Sequence, residues 1–192
     1  MRNKIEEQNG EGRTILLHSC CGPCSTSSIE RLLELNWKIV LYYQNDNIFP
    51  EKEWEKRYEE LLKVGNFYNL KVVGHENYNH QAWRKAIEGF EDCPEHGLRC
   101  DKCFAYNLSL ANDKARELKI DYFTTTLTVS RFKNSQQIFL IGKEYSSFKD
   151  IDFKKKDGFS KSVKLSKQMG LYRQNYCGCE FSLNDSNPKN IN

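Results

Sequence analysis

Three cysteines fall within five residues in Ile15-Leu16-Leu17-His18-Ser19-Cys20-Cys21-Gly22-Pro23-Cys24-Ser25-Thr26, after a short apolar run and just before a helical pattern. Where a strand gives way to a helix, unpaired backbone N–H groups and the positive end of the helix dipole favour a thiolate. That is the form of cysteine that binds metal or attacks. Two further pairs follow, Cys100-Asp101-Lys102-Cys103 and Cys177-Gly178-Cys179. Together they read as a redox metalloenzyme organised around the first stretch.

Each group also admits a plainer reading. Adjacent Cys20 and Cys21 are poor partners for a disulfide with each other, because the ring would contain a strained peptide unit, but both reach metal from an irregular loop. With Cys100 and Cys103 they supply four thiolates, enough for a tetrahedral zinc or an iron–sulfur cluster. A bare zinc staple would leave Cys24, Cys177 and Cys179 without a task. Cys21-Gly22-Pro23-Cys24 is also the active-site tetrapeptide of thioredoxin-type dithiol oxidoreductases, which have no use for Cys20, Cys100 or Cys103. A bridge between Cys177 and Cys179 would be strained and readily reduced, as suits an electron relay; two free thiols or extra metal ligands are the other readings. Cys24 stands as a ligand to a second metal, a relay, or a buried thiol, and Cys93 before Pro94 is assigned no role.

The elements that must position these groups alternate. Thr14 to Leu17, Trp37 to Tyr43, Leu70 to Val73 and Asp121 to Thr126 read as strands. Between and after them, 25–35, 51–62, 79–88, 100–118, 134–146 and 162–169 read as helices, with Ser25 or Thr26 as a candidate cap for the first. Ile151-Asp152-Phe153 reads as a short edge strand. This alternation predicts an α/β fold with a mainly parallel sheet, in which ligands sit at the carboxyl ends of the strands. Cys20, Asn45 and Thr126 all fall there, which predicts one active edge.

At 192 residues the chain is read as a flexible N-terminus over 1–12, one α/β catalytic domain over 13–182 and a disordered tail over 183–192. Eight cysteines are too few for a disulfide-stapled secreted domain of this length. Residues 1–12 lack a signal peptide's apolar core, and no apolar run approaches the roughly 18 residues of a spanning helix. The expectation is a cytoplasmic protein without a membrane partner, where clustered thiols serve metal or redox chemistry. Net charge is +3, but residues 131–192 carry 12 Lys/Arg against 6 Asp/Glu and the remainder 17 against 20. A basic C-terminal third with Lys154-Lys155-Lys156, Lys161, Lys164, Lys167 and Arg173 is either a phosphate-tracking face or a solvated lysine-rich surface.

His18-Ser19-Cys20-Cys21-Gly22-Pro23-Cys24-Ser25 resembles the HxCCxPCS signature of the QueH-type epoxyqueuosine reductases. Later segments agree in order: Asn47-Ile48 with a proline and acidic residues after it, Cys100-x-x-Cys103-Phe104, Phe123-Thr124-Thr125-Thr126-Leu127 with Ser130, and Tyr172-Arg173-Gln174 through Cys179. The likeness spans roughly Ile15 to Ser182. Two positions depart from the pattern: Arg131 stands where proline is expected, and Asp46 lies within the tyrosine–asparagine loop.

The resemblance implies reductive removal of the epoxide oxygen of epoxyqueuosine at the wobble position of a tRNA, giving queuosine. It implies a Rossmann-like fold related to the adenine-nucleotide α-hydrolases. It also implies a [4Fe–4S] cluster on Cys20, Cys21, Cys100 and Cys103, a redox-active disulfide between Cys177 and Cys179, and in some members an additional mononuclear iron near Cys24. An electron donor, unidentified from the sequence, is required. The competing readings are a zinc-stabilised nucleic-acid-binding module and a thioredoxin-like dithiol oxidoreductase. His18, Asp101 and Tyr43 are nominated as proton donors, and Tyr42, Tyr43, Phe49, Tyr172 and Tyr176 as aromatics against which a base could stack.

Overall fold

The computed structural model describes residues 8–185. Four parallel strands, β1 (Thr14–His18), β2 (Lys38–Tyr42), β3 (Val72–Val73) and β4 (Tyr122–Thr125), form one sheet in the order β3-β2-β1-β4. β1 is central, with Ile15 opposite both Ile39 of β2 and Tyr122 of β4. Seven α-helices, α1 (Gly22–Glu34), α2 (Glu51–Tyr68), α3 (His80–Ala86), α4 (Leu98–Glu117), α5 (Ser135–Gly142), α6 (Gly158–Gln168) and α7 (Glu180–Asp185), and one 3-10 turn after β4 (Thr126–Val129) complete the described chain. The α/β, Rossmann-like expectation is met.

Strand periodicity divides the core in two. Ile15, Leu17, Leu41 and Tyr43 pack on one face with Ile29, Leu32, Trp54 and Leu61. Leu16 and Tyr42 point to the other, with Phe104, Leu108, Phe123 and Ile138. A sheet buried on both sides reads in sequence as an unbroken apolar run, which is what Ile15-Leu16-Leu17 and Ile39-Val40-Leu41 are. The chain leaves β1 through α1 to β2 on one side, and β4 later returns to its other side. The loops after β1 and β4 therefore diverge across a topological switch point, where α/β sheets bind ligands.

Several boundaries differ from expectation. α1 begins at Gly22, because Pro23 is compatible with a helix's first turn, and Cys21 is its N-cap. Ser25 and Thr26 do not cap it; their hydroxyls donate back to the carbonyls of Cys21 and Pro23 at 2.8 Å each. Cys24 is thus already helical. Ile151-Asp152-Phe153 forms no strand: the Thr128 hydroxyl donates to the Ile151 carbonyl and accepts the Phe153 N–H, so a side chain takes the place of a ladder. The sheet edge is instead met by Phe148, in a parallel bridge with Phe123. Of the proposed N-terminal segment, residues 1–7 lie outside the described residues, whereas Gly10 is buried and its N–H donates to the Leu35 carbonyl at 2.7 Å. Residues 183–185 of the proposed tail belong to α7, and 186–192 lie outside the described residues. No helix among the described residues is long and apolar enough to cross a membrane.

Candidate metal and redox centre

Cys20 and Cys21 leave the end of β1, and Cys24 stands in the first turn of α1. Their three Sγ atoms all lie within 4.8 Å of one another, and Cys20 and Cys21 are 3.8 Å apart. A close approach makes this possible. A Cβ on Gly22 would stand 2.5 Å from the carbonyl oxygen of Glu60, so only glycine lets the start of α1 press against α2. The Thr126 hydroxyl ties the group to the loop after β4: it accepts the Cys20 N–H at 3.1 Å and donates to Cys20 Sγ at 3.3 Å. Gln174 Nε2 donates to Cys21 Sγ at 3.3 Å.

These contacts divide one negative charge unequally among the thiols. Hydrogen bonds from Cys20 and Cys24 hold Cys21 well below the usual thiol range, and the Arg57 guanidinium adds to that. The Cys20 thiol is pushed up to about 12, first by its bond to Cys21, and Cys24 is raised by its bonds to both. Of the three thiols Cys21 is the one these contacts favour as thiolate, and it is also the N-cap of α1, where a helix dipole acts in the same direction.

The other thiols face the same cavity. Its volume is about 430 Å³, and its lining includes Cys20, Cys24, Cys100, Cys103, Cys177 and Cys179, while Cys21 is fully buried behind Cys20. Cys100 and Cys103 come from the first turns of α4, and burial raises both thiols. Cys179 packs with Trp83, Ile87 and Cys103, and burial raises it too. All eight cysteines are free thiols in this structure. Six thiols from three chain segments thus line one cavity, but among the described residues only Cys20, Cys21 and Cys24 form a group of three within metal-sharing distance of one another. Cys100 and Cys103 are outside that group.

The segment that carries Cys177 and Cys179 is strapped to α2. Arg57, paired with Glu53 at 2.7 Å, donates through Nη1 to the Cys177 carbonyl at 3.1 Å. Gly178 has φ +132°, and a Cβ there would stand 2.9 Å from Arg57 Nη1. Its carbonyl accepts the Phe49 N–H at 2.8 Å.

Asn45 and Thr126 join Cys20 on the cavity, as the strand ends predict. The nominated proton donors do not. His18 is fully buried, and Asn45 settles its tautomer. Asn45 Nδ2 donates to the Ser19 carbonyl, leaving Oδ1 to accept from His18 Nε2 at 3.1 Å, and His18 Nδ1 accepts from the Thr125 hydroxyl at 2.9 Å. Burial lowers its pKa to about 4, so it is a neutral tie between β1, β4 and the loop after β2. Tyr43 is buried with its hydroxyl on the Trp54 carbonyl at 2.6 Å, and Asp101 does not line the cavity. Of the nominated aromatics only Tyr176 lines it; Tyr42 and Tyr43 belong to the two cores. Asp46 is buried and structural, accepting from the Tyr106 hydroxyl at 2.6 Å and the Asn79 N–H at 3.1 Å.

Lys133 was not anticipated. It lines the cavity with Nζ 3.4 Å from Cys177 Sγ, and thiol charge facing it raises its pKa against the opposing effect of burial. Arg57, from the middle of α2, was missed likewise. Lys133 lies two residues beyond Arg131, inside a segment already marked by Ser130; Arg57 carried no signal beyond its place on an amphipathic helix.

A family model described as epoxyqueuosine reductase QueH matches residues 15–185. Curated proteins of the same description align over most of the chain. One from Haemophilus influenzae is 34% identical over 97% of this chain and 78% of its own length. One from Streptococcus pyogenes is 35% identical over 93% and 74%. One from Thermotoga maritima is 34% identical over 88% and 90%.

Proposed function

The chain belongs to the epoxyqueuosine reductase QueH family and is an oxidoreductase, and from that premise we propose how its own residues perform the reaction. The substrate is a tRNA bearing epoxyqueuosine in the anticodon, and the compartment is the cytosol. Removing an epoxide oxygen as water and leaving an alkene consumes two electrons and two protons. Cys177 and Cys179 release two electrons and two protons on closing to a disulfide, which balances one turnover. A reductant, still to be identified, then reopens the disulfide. The observation that carries this reading is the convergence of six thiols on one cavity at the carboxyl edge of the sheet.

The donor set fits an iron–sulfur group: it is all thiol and soft, with Cys20, Cys100 and Cys103 lining the cavity and Cys21 buried next to Cys20. In our proposal Cys20, Cys21, Cys100 and Cys103 hold a [4Fe–4S] cluster, which when bound supplies single electrons at the cavity. Cys24 is then free to bind an additional iron or act as a relay. The clustering of Cys20, Cys21 and Cys24 favours a second assignment, in which Cys24 is itself one of the cluster's ligands. Around the group, Thr126 and Gln174 orient the sulfurs, Asn45 and His18 hold the loop, and Arg57 places the Cys177–Cys179 pair. Lys133 Nζ stands on the cavity wall as a hydrogen-bond and proton donor beside Cys177. We take residues 13–182 to be the catalytic unit.

The test is anaerobic purification followed by an absorption spectrum and iron and sulfide counts. About four of each per chain are expected, lost in Cys20→Ala and Cys100→Ala, together with conversion of epoxyqueuosine in tRNA. Zinc without sulfide overturns the mechanism. Cys24→Ala decides between the two assignments: about four irons and four sulfides retained, with loss only of any additional iron, support the first, and loss of both iron and sulfide from the cluster supports the second.

A further inference from the structure

Of the seven exposed large apolar side chains among the described residues, Phe132 is the one that lines the thiol cavity, and it is 65% exposed. It does not stand alone. The Arg131 guanidinium lies 5.0 Å from the centre of the Phe132 ring and 5.1 Å from that of Phe159. Arg173 approaches Phe159 from another side, at 5.8 Å. Phe159 and Arg173 also line the cavity. Among the described residues neither guanidinium forms an ion pair, although Arg173 Nη1 donates to the Ser166 hydroxyl at 3.3 Å. Lys154 extends the positive strip, donating through Nζ to the Lys133 carbonyl at 2.5 Å.

Unpaired guanidiniums interleaved with an exposed ring at the mouth of a cavity have a specific chemical complement. A single-stranded nucleotide offers a flat base for the ring and guanidinium planes, and a phosphate for the charge. A small anion would use the charge and leave the ring in water.

We infer that Arg131, Phe132, Phe159 and Arg173 form a stacking rim that grips a nucleotide adjacent to the reacting base of the RNA. Phe132 supplies the stacking face, and Arg131 and Arg173 hold the phosphates. The inference rests on the tRNA reading above and assigns it a surface.

The experiment titrates the full chain with a fluorescent, unmodified anticodon stem-loop RNA over a range of salt concentrations. Phe132→Ala is expected to weaken binding about 5- to 150-fold, the range of one lost base–aromatic stack. Its slope of log affinity against log salt should match that of the unsubstituted protein, because no charge is lost. Phe132→Leu, which restores apolar bulk without a π face, should bind as poorly as Phe132→Ala, whereas Phe132→Trp should recover the affinity. Arg131→Met should instead reduce the salt slope by about 0.7, one phosphate contact on a single strand. Affinity within about twofold for Phe132→Ala, or full recovery by Phe132→Leu, overturns the rim. An unsubstituted protein that binds the stem-loop with no salt dependence overturns the tRNA reading itself.

Discussion

Acidification tests the tie that anchors the thiol loop. His18 has a reference pKa of 6.5, and burial lowers it to about 4 in the folded chain. A depressed value means that the unfolded chain binds the proton more readily. The stabilisation from neutral His18 is therefore complete above about pH 6.5 and is lost as pH falls toward about 4. The shift spans roughly 2.5 units, and at about 1.4 kcal/mol per unit the loss is about 3 kcal/mol. Carboxylates titrate in the same interval, so the measurement must be a difference. His18→Gln retains an amide N–H for Asn45 Oδ1 and gives up the bond from Thr125, so it is less stable at neutral pH but has no imidazole to titrate. Denaturant unfolding of the metal-free protein and the variant, at about pH 7 and about pH 4, should show the gap between them shrinking by about 3 kcal/mol. A nitrogen-detected titration of the imidazoles should find His18 neutral and protonated on Nε2 from about pH 7 down to about pH 5, and gaining its second proton only near about pH 4. An unchanged gap at the two pH values, or an imidazolium signal from His18 near pH 6, refutes the argument from burial.

Two further predictions concern the cavity. Gly22→Ala places a methyl group 2.5 Å from the Glu60 carbonyl oxygen, so α1 must move off α2; a loss of about 1–3 kcal/mol in denaturant stability is expected, with lower iron content, and an unchanged midpoint would mean the two helices are not in contact as described. Lys133→Met removes a cation hydrogen-bonded to Cys177 at 3.4 Å; at roughly 1.5–3 kcal/mol for a charged hydrogen bond, kcat/KM should fall about 10- to 150-fold with the absorption spectrum intact, whereas unchanged turnover would exclude Lys133 from the reaction.

What the sequence made legible divides along physical lines. The strand–helix alternation, the parallel sheet and the placing of Cys20, Asn45 and Thr126 at one edge all follow from local patterns. Each depends on periodicity or on a residue's position at a strand end. The first-turn proline misled the start of α1, because hydroxyls at Ser25 and Thr26 are equally suited to capping and to bonding back inside a helix. The edge strand at 151–153 was misread because β-strand composition does not reveal that Thr128, over 20 residues away, already satisfies that backbone. His18 showed its chemistry in the sequence but not its burial. Arg57 and Lys133 were invisible for the same reason in reverse: a lysine or arginine in an amphipathic or polar segment is ordinarily a solvated charge.

Those two cations explain what a thiol-only reading leaves open, namely why so many sulfurs can share one wall. Among the cavity's lining residues the cations are Arg57, Arg99, Lys133 and Arg173, against one carboxylate, Glu95, which is exposed. A site built to hold several thiolates accumulates negative charge in a partly desolvated space, and like charges there would raise one another's pKa until most were protonated. Arg57 acts against that at Cys21, and Lys133 faces Cys177. Arg57 Nη2, moreover, is buried without a hydrogen-bond partner among the described residues, on a guanidinium that lines the cavity. A buried charged donor left unpaired is costly, so its acceptor is best sought among what the cavity holds when it is loaded. α2, which bears no cysteine, thus supplies the packing partner of the first turn of α1, the clamp on the redox pair and a positive charge beside Cys21. The chemistry is written in the thiols, and its electrostatic conditions are written elsewhere.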